Sequence, residues 1–197
     1  ALRADGDADV FMQPISHEKS SSFVDSIWDV PTILESNRVK QYAKLSDLPG
    51  LGWRSYRIEP AGDELRPPTT LITSPRSMAN EHLAVTVNGD GTIDMTAKAT
   101  GRTWRGLNFL TDEGEAGNAW QHQSPTFDRK YSSRGAAAAS VAIVESGPLV
   151  AAIEAEYRFA VPADYDDGTR RSERLVELPV KATYRLEAGD REVGVTL

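Results

Sequence analysis

Four carboxylates stand close together in the middle of the chain: Asp112, Glu113, Glu115 and Asp128. Two such groups held about 5 to 5.5 Å apart can act as nucleophile and acid/base in cleaving a glycosidic bond with retention. Other reactive arrangements are missing from the pattern. His17, His82 and His122 never fall at ligand spacing, so no metal site is expected within the chain. No serine stands in a Gly-x-Ser-x-Gly context, which removes the case for a hydrolase triad. The chain has no cysteine, which excludes disulfides, thiolate zinc sites and a thiol nucleophile. Gly89 and Gly91 sit in a turn pattern and not in a phosphate loop. Trp28, Trp53 and Trp104 are expected in a core, although Trp104, between Arg102 and Arg105, can carry a guanidinium on its ring face. Arg102, Arg105 and Arg134 could donate to the hydroxyls of a substrate, but arginines on exposed strand faces are usually solubilising charges, and that is the expectation here.

The elements that must position these groups read as strands. Ile153, Ala155, Tyr157 and Phe159 alternate with Glu154, Glu156 and Arg158. Val180, Ala182, Tyr184 and Leu186 alternate in the same way with Lys181, Thr183, Arg185 and Glu187. A period of two puts one face on a core and the other in water. Leu83, Val85 and Val87 lead into Asn88-Gly89-Asp90-Gly91, and Ile93 and Met95 resume beyond it. Asn-Gly and Asp-Gly supply the positive φ of tight hairpins, so a β-hairpin is predicted here. Further turn residues recur at 48–50, 145–148, 163–168 and 188–190. Residues 33–44 have helical composition but suit a strand–loop–strand equally, and 136–139 reads as a strand entry. Short strands at this spacing predict an all-β, antiparallel sandwich.

The organisation read from the sequence is a small β unit over 1–60, a joint or crossing segment over 61–79, and an incomplete large sandwich over 80–197. A net charge of −7 with interspersed charges argues against nucleic acid and against an anionic membrane as partner. No apolar run reaches the ~18 to 20 residues of a membrane span. No basic-then-apolar leader is visible, which favours a cytoplasmic setting. The chain opens on Ala1, and its last residues, REVGVTL, stay within an alternating pattern. Both features predict a piece of a longer protein, with a sheet edge left open for self-association through β pairing.

The string NEHLAVTVNGDGTIDMTAKATGRTWRGLNFLTDEGEAGNAWQHQSP resembles the start of the large C-terminal β-domain of family 38 glycoside hydrolases, the α-mannosidases. The matching residues are Asn80-Glu81, Asp90-Gly91, Lys98, Thr100-Gly101, Gly106-Leu107-Asn108-Phe109, Gly117 and Ser124-Pro125. VFMQPISHEKS and DLPGLGWRSYRI upstream, and GPLVAAIEAEYRFAVPADYD and RSERLVELPVKATYRLEAGDREVGVTL downstream, are similar to that family too. The resemblance therefore runs from about Val10 to the end, and its weight lies in the order and spacing of the segments.

The resemblance implies the first part of a galactose-mutarotase-like supersandwich, non-catalytic in itself. The Asp nucleophile and a divalent metal site, usually zinc, would lie in a separate α/β barrel, followed by a helical bundle. The implied partners are those domains and a mannoside-type carbohydrate. In the family, the loop after Gly-Leu-Asn-x-Phe walls the sugar pocket and carries an acidic residue, then an aromatic two positions on. Those positions are Asn118 and Trp120 here, so hydrogen bonding and an apolar ring face are kept while the charge is lost. His122, Asp112 and Glu115 share the loop and complete the candidate substrate contacts, with no catalytic residue among them. A free-standing carbohydrate-binding module using Trp120 and Trp104, and a structural domain of an inactive family member, are the alternatives.

Overall fold

The computed structural model describes residues 2–4, 10–26, 28–59, 69–136, 140–166 and 169–197. The described residues form strands and turns with no helix. The chain divides into two compact units, Ala1–Thr69 and Thr70–Leu197.

In the first unit, β1 (Leu2–Ala4) pairs antiparallel with β4 (Tyr56–Ile58). Between them, β2 (Phe11–Ser26) and β3 (Asp29–Lys44) make a long antiparallel ribbon, with bulges between Pro14 and Ser16 and between Val24 and Ser26. The stretch of helical composition is therefore a strand, fixed by its pairing with β2, and His17 lies on β2 opposite Val39. Trp28 and Trp53, expected in a core, are 89% and 84% exposed. Phe23 and Ile33, cross-strand neighbours on one face of the ribbon, are also exposed. Among the described residues the ribbon pairs as two strands only, and a lone two-stranded ribbon offers little apolar burial.

The second unit holds a sandwich. β5 (Ile72–Ser74), β6 (Ser77–Ala79), β7 (Leu83–Val87), β8 (Ile93–Ala97) and β9 (Arg102–Leu107) form a five-stranded antiparallel meander in sequence order. Two short pairs serve its loops: β10 (Thr111–Asp112) with β11 (Tyr131–Ser132), and β14 (Tyr165–Asp166) with β15 (Arg170–Arg171). The facing sheet runs β12 (Ser140–Glu145), β13 (Val150–Pro162), β16 (Leu175–Glu187), β17 (Gly194–Thr196) in that order. Residues 137–139, part of the expected strand entry, lie outside the described residues.

The period-two reading accounts for the core. Leu83, Val85, Val87 and Ile93 from the meander meet Ile153, Ala155, Tyr157, Phe159, Ala182, Tyr184 and Leu186 from the facing sheet in one buried cluster. Glu156 and Arg158 point to solvent from between the buried residues of β13. Each large apolar side chain taken fully out of water contributes roughly 1.5 to 3 kcal/mol.

The turn at 88–91 differs in type from the two-residue hairpin its sequence suggests. Gly91 has φ +84°, whereas Gly89 is not among the residues of positive φ. Gly91 N–H donates to Asn88 O at 3.2 Å and Asn88 N–H donates to Thr92 O at 2.8 Å, as in a three-residue loop closed by a glycine bulge. A Cβ on Gly91 would lie 2.5 Å from the Tyr157 ring, so glycine is needed for both space and conformation. Asp90 accepts from Thr92 N–H at 3.1 Å and from Gly135 N–H at 3.1 Å. Burial pushes the Asp90 carboxyl up, but these bonds outweigh it and hold the group below its ordinary value. Asp94 is held down in the same way by Asn88 Nδ2, the Gly106 N–H and Arg105.

The meander is stapled to the turn after β16 by Asn80 and Glu81. The buried Asn80 side chain donates to Glu187 O at 2.7 Å and Asp190 O at 2.8 Å, and accepts from His82 N–H at 2.9 Å and Leu83 N–H at 2.8 Å. Glu81 accepts from Gly189 N–H at 2.9 Å. At the other end of the core, the Tyr184 hydroxyl donates to Gly91 O and accepts from Asn108 Nδ2 at 2.8 Å. Asn108 has φ +59°, and this bond ties its side chain down.

Candidate functional site

The loop that follows β10 contains every residue singled out as a substrate contact except Asp112, which lies on β10 itself. Its stem is the pair Thr111↔Ser132 and Asp112↔Tyr131, so its two ends emerge side by side from the sandwich. Between them the chain makes a miniature hairpin. Ala116 N–H donates to Gln123 O at 2.7 Å, and Asn118 and Gln121 exchange backbone bonds at 3.1 and 3.2 Å. The turn between them is Ala119-Trp120, which places Trp120 at the tip with 95% of its surface exposed.

The polar candidates build this hairpin. Asn118 Oδ1 accepts from Trp120 N–H at 2.9 Å and Gln121 N–H at 3.2 Å, an Asx cap on the turn. Glu115 accepts from Gly117 N–H, from Gln123 N–H at 2.9 Å and from the His122 ring. The Gln123 and Gly117 N–H groups and His122 hold its carboxyl below the ordinary range. Gly117 has no room for a side chain, since a Cβ would collide with Gln121 O and Glu115 Oε1.

The four carboxylates that opened the search for chemistry are all engaged. Asp112 pairs with Arg171, as does Asp128 at 3.8 Å. Glu113 pairs with Lys130, whose ammonium it holds above its ordinary value. Glu115 pairs with His122. Their arrangement suits bracing better than acid–base work, which needs a carboxyl free to trade protons. Among the described residues no group of three or more His, Cys, Asp or Glu side chains converges on one point.

Trp120 is the candidate with a face to offer, and the Asn118 amide NH₂ lies beside it in the chain. Arg102 stacks on Trp104 with its guanidinium 4.8 Å from the ring centroid, the pairing that their spacing suggested. Arg134 stacks on Phe109 at 3.9 Å and donates to Gly106 O at 2.9 Å, so it holds a β9 corner and is more than a solubilising charge. Arg171 is the residue that sequence reasoning missed: it lies 59 positions from Asp112, and no local spacing marks the contact.

The family model described as "Glycosyl hydrolases family 38 C-terminal domain" matches residues 78–197. A protein of Halalkalibacterium halodurans, provisionally named a mannosylglycerate hydrolase, is 30% identical over 113 residues. Those residues are 57% of this chain and 12% of that protein. Two solved structures share the fold with a TM-score of 0.76: an alpha-mannosidase from Enterococcus faecalis at 15% identity, and a protein in the glycosyl hydrolase family 38 from the same species at 16%. They cover 98% of this chain, which spans only 23% and 24% of theirs.

Proposed function

The chain belongs to the glycosyl hydrolases of family 38 through their C-terminal domain, and from that premise we propose that it is the non-catalytic β portion of an α-mannosidase-type enzyme, lending one loop to a mannoside-type substrate. The domain belongs to multidomain enzymes that are generally metal-dependent. The barrel that this portion supports would hold the nucleophile and the divalent metal, with zinc the ion that the family resemblance implies. The observation that carries the reading is Trp120, an indole 95% exposed at the tip of a hairpin whose polar residues brace the turn. Keeping an apolar ring in water is costly, and a braced loop loses little entropy when that ring meets the flat face of a pyranose.

In the complete glycosidase, Trp120→Ala is expected to raise KM for an α-mannoside about tenfold, which is ~1.4 kcal/mol of binding, and to leave kcat within about twofold. An unchanged KM would overturn the substrate contact. The same exposed ring also favours a free-standing carbohydrate-binding module. Titration of the isolated chain with mannose, followed by tryptophan fluorescence, separates the two. Saturable quenching at millimolar sugar supports the module, and a flat response supports the loop that works only beside a barrel.

Self-association forms part of the proposal. β17 pairs with β16 only at Thr183, Tyr184 and Arg185. Ala188 N–H donates to Leu149 O and Ala163 N–H donates to Arg174 O, both at 2.8 Å, which fixes the even-numbered residues of β16 as those bonded to β13. The backbone groups of Leu175, Glu177, Pro179 and Lys181 therefore face the open edge. Leu175 and Leu178 are each 46% exposed there, while Pro179 removes one donor from the middle. Light scattering of the chain at rising concentration is expected to show dimers, at concentrations about tenfold lower for Pro179→Val. A strict monomer for both proteins would contradict this.

A further inference from the structure

We propose that Arg171 is the positioning residue that sets where the Trp120 hairpin is presented, an inference that rests on the reading of that hairpin as a substrate contact. The arrangement is a clamp on both stems of the loop. Arg171, on β15, bonds Asp112 on the outgoing stem and lies 3.8 Å from Asp128 on the returning one. The contact with Asp128 is coulombic, since neither Arg171 Nη1 nor Asp128 Oδ1 makes a hydrogen bond, while the other Asp128 oxygen accepts Gly114 N–H at 3.0 Å and so sets the charge beside the guanidinium against the loop backbone. The Arg171 side chain is 11% exposed and that of Asp128 10%, against 73% for Lys130 in its pair with Glu113. An exposed pair contributes little and swings freely. A nearly buried one holds its geometry because breaking it strands a charge away from water.

Packing adds to the charge. A Cβ on Gly114 would lie 2.8 Å from Arg171 Cδ and 2.6 Å from Pro125 Cγ, so the loop backbone rests directly on the arginine stem. The guanidinium lies 5.6 Å from the centroid of Tyr131, the residue paired with Asp112. Phe127 N–H donates to Thr169 O at 3.1 Å and carries the returning stem onto the strand that bears Arg171. The planar guanidinium turns separate nitrogens, Nη2 and Nη1, towards Asp112 and Asp128, whereas a lysine ammonium would present one compact point charge to both.

The test combines hydrogen exchange on this chain with kinetics on the complete glycosidase, for Arg171→Gln and Arg171→Lys. With Arg171→Gln, amides over 113–126 are expected to exchange at least tenfold faster while those of β7, β13 and β16 are unchanged. KM for an α-mannoside rises about fivefold with kcat held within twofold, and Arg171→Lys recovers part of both effects. Unchanged exchange over 113–126, or acceleration spread equally through β13 and β16, would overturn the clamp. Faster loop exchange with an unchanged KM would keep the clamp and remove the substrate contact beneath it. Asp112→Asn, which loosens one stem only, is judged by the same criteria should Arg171→Gln not fold.

Discussion

Tyr184→Ala is expected to destabilise the sandwich unit by about 4 kcal/mol, read as a fall in the denaturant midpoint at unchanged slope. The ring is fully buried between the two sheets and is among the largest such side chains in the molecule. Truncating a buried aromatic to alanine costs about 3 to 5 kcal/mol through lost transfer energy and the cavity left behind. Two polar groups lose their partner as well: the Gly91 carbonyl and the Asn108 amide. Tyr184→Phe keeps the ring and loses only the hydroxyl, so its cost should be about 1 to 2 kcal/mol. The difference between the two variants separates packing from hydrogen bonding. A loss below about 1 kcal/mol for the alanine variant would mean that the two sheets are not held together at this point. Domains of this size have only about 5 to 15 kcal/mol in hand, so the alanine variant sits near the edge of folding.

Asn80→Ala should cost about 3 kcal/mol, a large effect for the removal of one polar side chain. Asparagine has two amide hydrogens and an oxygen with two lone pairs, and Asn80 uses all four. Removal leaves two carbonyls and two N–H groups to find water at a site where the side chain is 5% exposed. Asn80→Asp is a sharper probe than alanine. It keeps the acceptor for His82 and Leu83 but turns a carboxylate oxygen towards the carbonyls of Glu187 and Asp190, and it should destabilise at least as much. Urea unfolding of the two variants decides this. An aspartate variant as stable as the parent would contradict the staple.

The same two residues show what the sequence can and cannot convey. Alternation over 153–159 and 180–187 placed Tyr184, Ile153 and Phe159 on the core side because a strand's geometry is local: each residue's face follows from its neighbour's. The Asn80-Glu81 and Gly106-Leu107-Asn108-Phe109 strings carry the family resemblance, but the ties that Asn80, Glu81 and Asn108 make between the two sheets run to partners about 75 to 110 positions away. No local rule reveals a tie of that length. Gly91 was legible as a turn residue, whereas the Tyr157 ring behind it was not. Residues 33–44 were ambiguous because composition says nothing about pairing, and it is pairing with β2 that makes them a strand.

The candidate site follows the same logic. The sequence sets Asn118, Trp120, His122 and Glu115 in one loop, and Asp112 on the strand that leads into it. Their division of labour needed coordinates. A carboxylate or amide that caps a turn and one that binds a sugar have the same letter in the sequence, and only the location of the neighbouring N–H groups tells them apart. Asn118 spends its oxygen on the turn. An asparagine serves this turn as well as the acidic residue that the family resemblance implies, because capping requires an acceptor and not a charge. Trp28 and Trp53 do not meet the core expectation, since both rings are exposed, and residue type alone does not say whether a ring is covered.

The proposed substrate contact lies at the tip of one loop, and a crystal structure of the complete protein with a mannoside analogue bound would test it most directly. The prediction is the Trp120 ring in van der Waals contact with the sugar, at about 4 Å, with Glu115 and Asn118 still bracing the turn behind it. A Trp120 ring far from the sugar, with no other residue of the 111–125 loop touching it, would contradict the account.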